Sequence, residues 1–459
     1  MDKHTICLLN DSFPPLIDGV ANAVSNYASQ IEMNHGHAVV VTPAYPEADD
    51  SKYTFPVVRY PGIDVRELVG YVAGFPFSPE VARRLATERV KVLHSHCPIA
   101  STMLARGLRE VLDAPVVLTY HTKFDIDIEK VIRSKLLQEI SIRALVQNIS
   151  ACDEVWVVSH GAGENLRSLG YEGDYIVMQN GVDMPRGKAG KEQIYEVTKS
   201  YDLPRHVPVF LFVGRLMWYK GLRIILDALA KIRTQSTDFR MVFIGDGSDG
   251  KEIRNYTHEL GLDDVCFFTG AILERETIRA WYSRADLFLF PSTFDTNGLV
   301  VREAAACDLA SVLVAESSAA EGVADGQSGF LIEKTADSLA ACLTELCNNR
   351  EAMIRVGMSA GRELYVSWES AVACAYDRYQ TVIDRYRSGK YNRNTQPLDG
   401  FFKAQGELMG ALGRVGSFYD DVGQKLRTGR EKIELRRQEL RQGVQEVKDT
   451  IWQKLDRYL

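Results

Sequence analysis

Three stretches of the chain gather residue types that bind anions and sugar-like hydroxyls. In Val213-Gly214-Arg215-Leu-Met-Trp-Tyr-Lys220-Gly221, an arginine and a lysine sit five residues apart on one glycine-flanked loop. Arg215 can grip a diphosphate as a planar fork while Lys220 adds a point charge. Such cations more often end solvated on a surface. Here the loop follows an apolar run and precedes a helical pattern, which favours an anion site. In Phe290-Pro-Ser-Thr-Phe-Asp295-Thr-Asn297-Gly298-Leu299-Val300-Val-Arg-Glu303, a helix is expected to begin near Gly298. Its first amides, over Gly298–Val301, can take phosphate or sugar hydroxyls. Asp295 and Glu303, eight residues apart, can face one ligand and accept from its hydroxyls. The competing assignment makes Asp295 a helix cap and Glu303 a surface residue. The third stretch is Asp11-Ser-Phe-Pro-Pro-Leu-Ile-Asp18-Gly19-Val-Ala-Asn-Ala. Gly19 at a strand-to-helix turn lets a backbone amide approach an anion, or serves as a plain turn glycine.

These loops need strands to hold them. Short β-branched runs alternate with longer amphipathic segments, the pattern of doubly wound α/β domains. Expected strands in the first half are Thr5–Asn10, Ala38–Thr42, Val90–Ser95, Val116–Tyr120, Glu154–Ser159 and Tyr175–Gln179. Helix-length segments between them include Val20–Asn34, Ser101–Leu112 and Ile128–Ile149. The second half repeats the pattern with Val207–Val213, Arg240–Ile244, Val265–Thr269, Ala285–Pro291, Ser311–Val314 and Gly329–Ile332. Most of these runs are apolar on both faces, as for parallel strands covered by helices on both sides. A polar stretch places the boundary near Pro185–Pro208. The expectation is an α/β chain of two Rossmann-like domains facing a cleft, over 1–190 and 205–386, with a helical extension over 387–459. All three loops then fall at strand carboxyl ends, where open α/β sheets bind ligands.

Composition narrows the function. The 459 residues carry a net charge of −7, which argues against a dedicated nucleic-acid binder. Eight scattered cysteines without a CxxC pair suggest neither a zinc site nor a disulfide framework. No run approaches the ~18 apolar residues that span a bilayer. The N-terminus, MDKHTICLLND, meets an acidic residue too early for a signal peptide. A cytoplasmic protein, free or peripheral on the inner face of the cell membrane, is expected.

Three further patterns are weighed and set aside. Gly245-Asp-Gly247-Ser-Asp-Gly250 fits a dinucleotide fingerprint, but the next strand ends Cys266-Phe-Phe268-Thr269-Gly270, without the acid that binds ribose. Asp125-Ile-Asp127 resembles a metal-binding acidic pair, but capping the Ile128–Ile149 helix is the better role. His94 and His96 flank Ser95 with no complete ligand set, so neutral, hydrogen-bonded histidines are favoured over a metal site.

Taken together, the motifs resemble the retaining family-four glycosyltransferases, which have the two-domain GT-B fold. The matching pieces are Asp18-Gly19, His121 in Leu-Thr-Tyr-His-Thr, Gln179-Asn-Gly-Val-Asp183, Gly214-Arg215…Lys220-Gly221, Ile244-Gly-Asp-Gly247, Phe268-Thr269-Gly270 and Asp295…Glu303. They run in the family's order from about Thr5 to Tyr386. The resemblance implies that Arg215 and Lys220, helped by the Gly19 amide, hold the diphosphate of a nucleotide-sugar donor. It implies that Glu303 takes the ribose hydroxyls, and that Asp295 with the Gly298–Val301 amides takes the transferred sugar. Phe268, Thr269 and Gly270 would pack near the nucleobase, His121 would lie beside the sugar and the incoming acceptor, and Gly214, Gly247, Asn297, Leu299 and Val300 would also belong to the donor site. His121, Arg215, Lys220 and Asp295 would be the catalytic set. No metal or other cofactor is expected, because cations and helix amides can neutralise the leaving diphosphate. The sequence departs from the family in having Asp295 where glutamate is usual, and one glycine, Gly19, where many members have two.

The acceptor is read from weaker signals. Between Lys425 and Arg457, ten Lys and Arg stand against six Asp and Glu. There Ile433, Leu440, Val444, Val447, Ile451, Leu455 and Tyr458 form one apolar stripe of a helix. Such a helix can lie on an anionic membrane or pack against protein. Arg83, Arg84, Lys91, Lys123, Lys130, Arg133, Lys135 and Arg143 add cations to the first domain, beside the aromatic loop Gly74-Phe-Pro-Phe-Ser78. The Tyr120–Asp125 and Phe294–Gly298 strings are most similar to members that glucosylate diacylglycerol. The expected reaction is transfer of a hexose, glucose from UDP-glucose, to a membrane lipid. The alternatives are a soluble glycan, sugar or protein acceptor, and a catalytically silent nucleotide-sugar-binding scaffold. Oligomeric state is left open.

Overall fold

A computed structural model describes residues 3–16, 18–64, 72–235, 237–295, 298–391, 396 and 398–426. Asn297 and the expected Ile433–Leu459 helix lie outside the described residues. The chain divides into two units. One comprises Met1–Val158, Ala162–Met178 and Val372–Leu459, the other Ser159–Gly161 and Gln179–Ala371.

The first unit holds strands β1 (Thr5–Leu9), β2 (His37–Pro43), β3 (Val57–Tyr60), β4 (Gly62–Asp64), β5 (Val72–Gly74), β6 (Val90–Ser95), β7 (Val116–Tyr120), β8 (Glu154–Val157) and β9 (Ile176–Val177). Seven form a parallel sheet in the order β3-β2-β1-β6-β7-β8-β9, and β4 and β5 pair as an antiparallel hairpin. The order reverses between β1 and β6. There the Asp11 carboxylate, just past β1, accepts from the amides of Ala100 (3.1 Å) and Ser101 (2.8 Å). Asp11 thus caps the helix Ala100–Leu112, whose own N-cap residue, Ile99, offers no oxygen.

The second unit holds β10 (Val209–Val213), β11 (Arg240–Ile244), β12 (Cys266–Gly270), β13 (Leu287–Phe290), β14 (Ser311–Val314) and β15 (Phe330–Ile332). They form a parallel sheet ordered β12-β11-β10-β13-β14-β15, reversing between β10 and β13. Every residue of β10, β13 and β14 is buried, so these strands are apolar through their whole thickness. Phe210, Phe212 and Phe288 are fully enclosed, each worth roughly 1.5–3 kcal/mol of transfer free energy.

Three expectations change. By packing, the units divide at Met178–Gln179, just ahead of the expected Pro185–Pro208 boundary, and again at Val372, inside the helix that precedes the extension. Val182 and Met184 pack in the second core. The helix Trp368–Arg387 sends Tyr379 into the first unit, where it stacks on Trp156 at 5.3 Å and its hydroxyl lies 2.6 Å from His94 Nδ1. The single helix expected over Ile128–Ile149 is two, Phe124–Val131 and Lys135–Ser150. Between them Ile132 is extended, and the Gln138 side chain donates to its carbonyl at 2.6 Å. Asp125 and Asp127 therefore lie inside the first of these helices instead of capping the second.

The described part of the extension is the helix Asp399–Leu426, and it docks on the first unit's helices Pro79–Thr87 and Ala100–Leu112. Gly406 crosses Gly107 so closely that a Cβ at 406 would strike the Gly107 carbonyl. Met409 is fully buried, and Arg106 pairs with Asp399 at 2.7 Å while lying 4.1 Å over the Phe402 ring. No described helix is long and apolar enough to cross a membrane.

Candidate active site

In the second unit the predicted residues gather at the carboxyl ends of β10 to β13. The loop after β10 carries Gly214, Arg215 and Lys220; the loop after β13 carries Asp295. Lys220 Nζ lies 2.6 Å from Asp295 Oδ1, and Ser292 Oγ donates to Asp295 Oδ2 at 2.6 Å. Lys220 is buried, ringed at 5.7–6.0 Å by Tyr219, Phe290 and Phe294. Gly221 lets the two loops touch: its φ is +81°, and any Cβ would strike the Pro291 carbonyl. Arg215 is exposed, and no described residue pairs with its guanidinium.

The helix Leu299–Ala306 starts from Gly298, whose φ is +56°. Asp295 does not cap it; its carboxylate is committed to Lys220 and Ser292. The first amides remain without intrahelical acceptors, although Val301 N already donates to the Gly298 carbonyl at 2.9 Å. The amides left without an intrahelical acceptor are therefore those of Gly298, Leu299 and Val300. Glu303 is buried one helical turn further on. It accepts from Arg275 Nη2 at 2.7 Å and from the Tyr282 hydroxyl at 3.1 Å. Burial and then the neighbouring Glu303 charge push the Tyr282 phenol well up, so it stays a donor. With about four lone-pair positions, the carboxylate keeps room for a diol. Arg275 and Tyr282 escaped the sequence reading because they come from a different helix, Arg275–Arg284.

Phe268 stacks on Phe243 at 4.8 Å and lies under Arg254 at 4.5 Å. Thr269 donates to the Gly270 carbonyl at 3.0 Å. Gly247, after β11, sits where a Cβ would come within 2.5 Å of the Leu216 carbonyl. These three line the ends of β11 and β12, the neighbours of the Arg215 loop.

Gly19 and His121 belong to the first unit. Gly19 opens the helix Gly19–Asn34, capped by Asp18, which accepts from Val20 N at 2.8 Å and Ala21 N at 2.7 Å. A Cβ at Gly19 would meet nothing within 4 Å, so its surroundings are open. His121 follows β7, and its Nε2 lies 2.9 Å from His96 Nδ1. Burial holds His121 down to about 3 and His94 and His96 well below the usual imidazole range. Both His94 nitrogens are engaged, by Tyr379 and by Thr119 Oγ1 at 2.7 Å. The histidine pair is thus a hydrogen-bonded one, and no group of three metal-binding side chains occurs among the described residues.

Residues 17–186 match the family described as Glycosyltransferase Family 4, and residues 195–361 match that described as Glycosyl transferases group 1. The alpha-monoglucosyldiacylglycerol synthase of Streptococcus pneumoniae is 23% identical over 66% of this chain and 69% of its own length. That of Acholeplasma laidlawii is 23% identical over 76% and 89%. A GDP-mannose-dependent alpha-mannosyltransferase of Corynebacterium glutamicum is 26% identical over 72% and 76%. Among solved structures, Anabaena HepE in complex with UDP-glucose superposes with a TM-score of 0.63 at 18% identity, covering 83% of this chain and 99% of its own. Two doubly wound units, each matched by its own half of the family and each carrying its motifs at strand carboxyl ends, make this chain a glycosyltransferase of family 4 with the GT-B fold.

Proposed function

We propose that this glycosyltransferase is retaining and moves glucose from UDP-glucose to a membrane lipid, with diacylglycerol the favoured acceptor. One observation carries the lipid reading. The helix Lys135–Ser150 exposes Leu136 (66%), Leu137 (53%) and Ile140 (54%), an apolar face flanked by exposed Arg133, Lys135 and Arg143. No described carboxylate pairs with these three cations, and Glu139 is the one acid between 133 and 143. An apolar patch rimmed by cations that no described carboxylate pairs suits anionic headgroups over acyl chains. The names of the two synthases above point the same way.

In the reaction, the bond from the sugar's anomeric carbon to the diphosphate breaks and the acceptor oxygen bonds on the same face. The acceptor's proton passes to the departing phosphate oxygen. Arg215, Lys220 and the Gly298–Val300 amides stabilise the charge that develops there, which leaves no task requiring a metal. Asp295 orients the sugar, Glu303 the ribose, and His121 contacts the sugar.

The test is transfer from labelled UDP-glucose, with and without vesicles holding diacylglycerol and anionic lipid. Labelled product in the organic phase only with diacylglycerol supports the reading. UDP release with a soluble sugar, or turnover with another donor only, discards the lipid or the donor. No turnover with any donor points to a silent scaffold.

A further inference from the structure

We infer that His96 is a positioning residue that holds His121 in the tautomer protonated on Nδ1, so that His121 meets its ligand as an N–H donor and not as a base. The inference deepens the proposed function, since it rests on His121 contacting the sugar.

The two imidazoles leave adjacent parallel strands, β6 and β7, whose register pairs Ser95 with Leu118. Their planes lie 27° apart with centroids at 5.2 Å, and His96 Nδ1 stands 2.9 Å from His121 Nε2. Exposure is 1% for His96 and 6% for His121. A hydrogen bond between neutral rings needs one N–H and one lone pair, and the tautomer of His96 decides which ring supplies which.

The other nitrogen of His96 makes that choice. His96 Nε2 is buried without a hydrogen-bond partner among the described residues. Neither neighbouring ring supplies one in this structure: the Tyr27 ring stands edge-on at 5.3 Å, and His94, at 4.1 Å, has both nitrogens taken by Tyr379 and Thr119. Were Nδ1 the acceptor, Nε2 would carry a proton into an apolar site as an orphaned donor. Orphaned buried N–H groups are rarer in proteins than under-used acceptors. The cheaper arrangement places the proton on His96 Nδ1, donates it to His121 Nε2 and leaves only a lone pair unmatched. His121 then carries its own proton on Nδ1, and the lone pair that a general base would need is occupied.

The test reads tautomers directly. In the full chain labelled with [15N]histidine, long-range 1H–15N spectra assign His121 by difference against His121→Asn. His121 is expected as the Nδ1–H form; the Nε2–H form in the wild-type protein overturns the proposal, whatever the enzyme transfers. Replacing His96 by Phe removes the donor and should release His121 to the other tautomer or a mixture. Turnover should fall by about tenfold, the worth of one hydrogen bond, with KM for the donor unmoved. His96→Asn, which keeps an N–H near the Nδ1 position, should restore both the spectrum and turnover. An unchanged His121 spectrum in His96→Phe, shown folded by its melting curve, would also overturn it. If the wild-type chain transfers no glucose, the proposed function fails while the spectrum still answers.

Discussion

Lys220 Nζ and Asp295 Oδ1 stand 2.6 Å apart and tie the loop after β10 to the loop after β13 across the point where the second sheet reverses its order. Such reversal points are where open α/β sheets bind ligands. The pair brings into direct contact the cation and the carboxylate on which the proposed donor site relies. Their side chains are 11% and 22% exposed, so the attraction is only partly screened by water.

Removing one partner should therefore cost both chemistry and stability. Asp295→Ala leaves a buried ammonium without its carboxylate, at a loss of ~1–3 kcal/mol once the partial exposure is allowed for. Transfer should fall on the order of a hundredfold. Asp295→Glu keeps the charge and restores the family's usual residue, so it should retain turnover within about tenfold. Melting curves and steady-state rates on the three proteins decide it; equal loss in Glu and Ala would mean that arm length, not charge, is what Asp295 contributes.

Arg215 offers the opposite signature. It is exposed and unpartnered among the described residues, so Arg215→Ala should leave the melting temperature within about a degree. It should nonetheless lower kcat/KM by about a hundred- to a thousandfold, the loss of a charged clamp on a leaving group. Unchanged turnover would remove Arg215 from the site.

Much of this was legible in the residues, for reasons that also explain the failures. β6, β7, β11 and β14 fall where their apolar runs place them, because a central parallel strand is buried on both faces. Edge strand β3 was missed because Arg59 breaks its run; that side chain turns back to Asp50 at 2.8 Å. The helix break at Ile132 hides inside continuous apolar periodicity, since the side chain that completes it, Gln138, belongs to the following helix. The site loops were readable because glycine, cations and carboxylates lie close together in sequence. What surrounds Glu303 was not, because Tyr282 is 21 positions away and nothing local marks it.

Three buried neutral histidines fix the acid side of the stability profile. An unfolded histidine titrates near 6.5, whereas burial holds folded His121 at about 3 and His94 and His96 well below their usual value. Between those values the unfolded chain binds protons that the native chain refuses, so stability falls as pH falls through 6.5 toward the folded values. His121 should cost ~2 kcal/mol between pH 7 and pH 5, and His94 and His96 act in the same direction. Asp11, raised by burial against its hydrogen bonds from Ser101 and Ala100, acts in the opposite sense above the usual carboxylate range. Urea midpoints at the two pH values should drop accordingly, and His121→Asn should shallow the drop by one histidine's share. A flat profile would mean that the trio is charged or exposed.

The extension helix should prove integral to the first unit. Gly406→Val sets a side chain against the Gly107 carbonyl, beside fully buried Met409, and overpacking of this kind costs ~1–3 kcal/mol. A lower melting temperature and faster limited proteolysis of Asp399–Leu426 are expected. Wild-type behaviour would mean that the helix does not dock in solution.

That docking also dictates how membrane binding must be dissected. Deleting residues 400–459 would strip Met409 and Phe402 from the first unit, so weaker vesicle binding could reflect damage there. Cutting after Leu426 spares the docked helix and removes only the Lys- and Arg-rich sequence beyond it. The exposed face of Lys135–Ser150 calls for its own variant, Leu136→Gln with Leu137→Gln and Ile140→Gln. These side chains are exposed, so the protein should fold as before. Each buried leucine or isoleucine contributes ~1.5–3 kcal/mol on leaving water, so losing three should weaken sedimentation with anionic vesicles at least a hundredfold. Glucose transfer to diacylglycerol dispersed in detergent should change little. If the triple variant sediments like the wild type while the Leu426 truncation does not, the tail, and not this helix, carries the protein to the membrane.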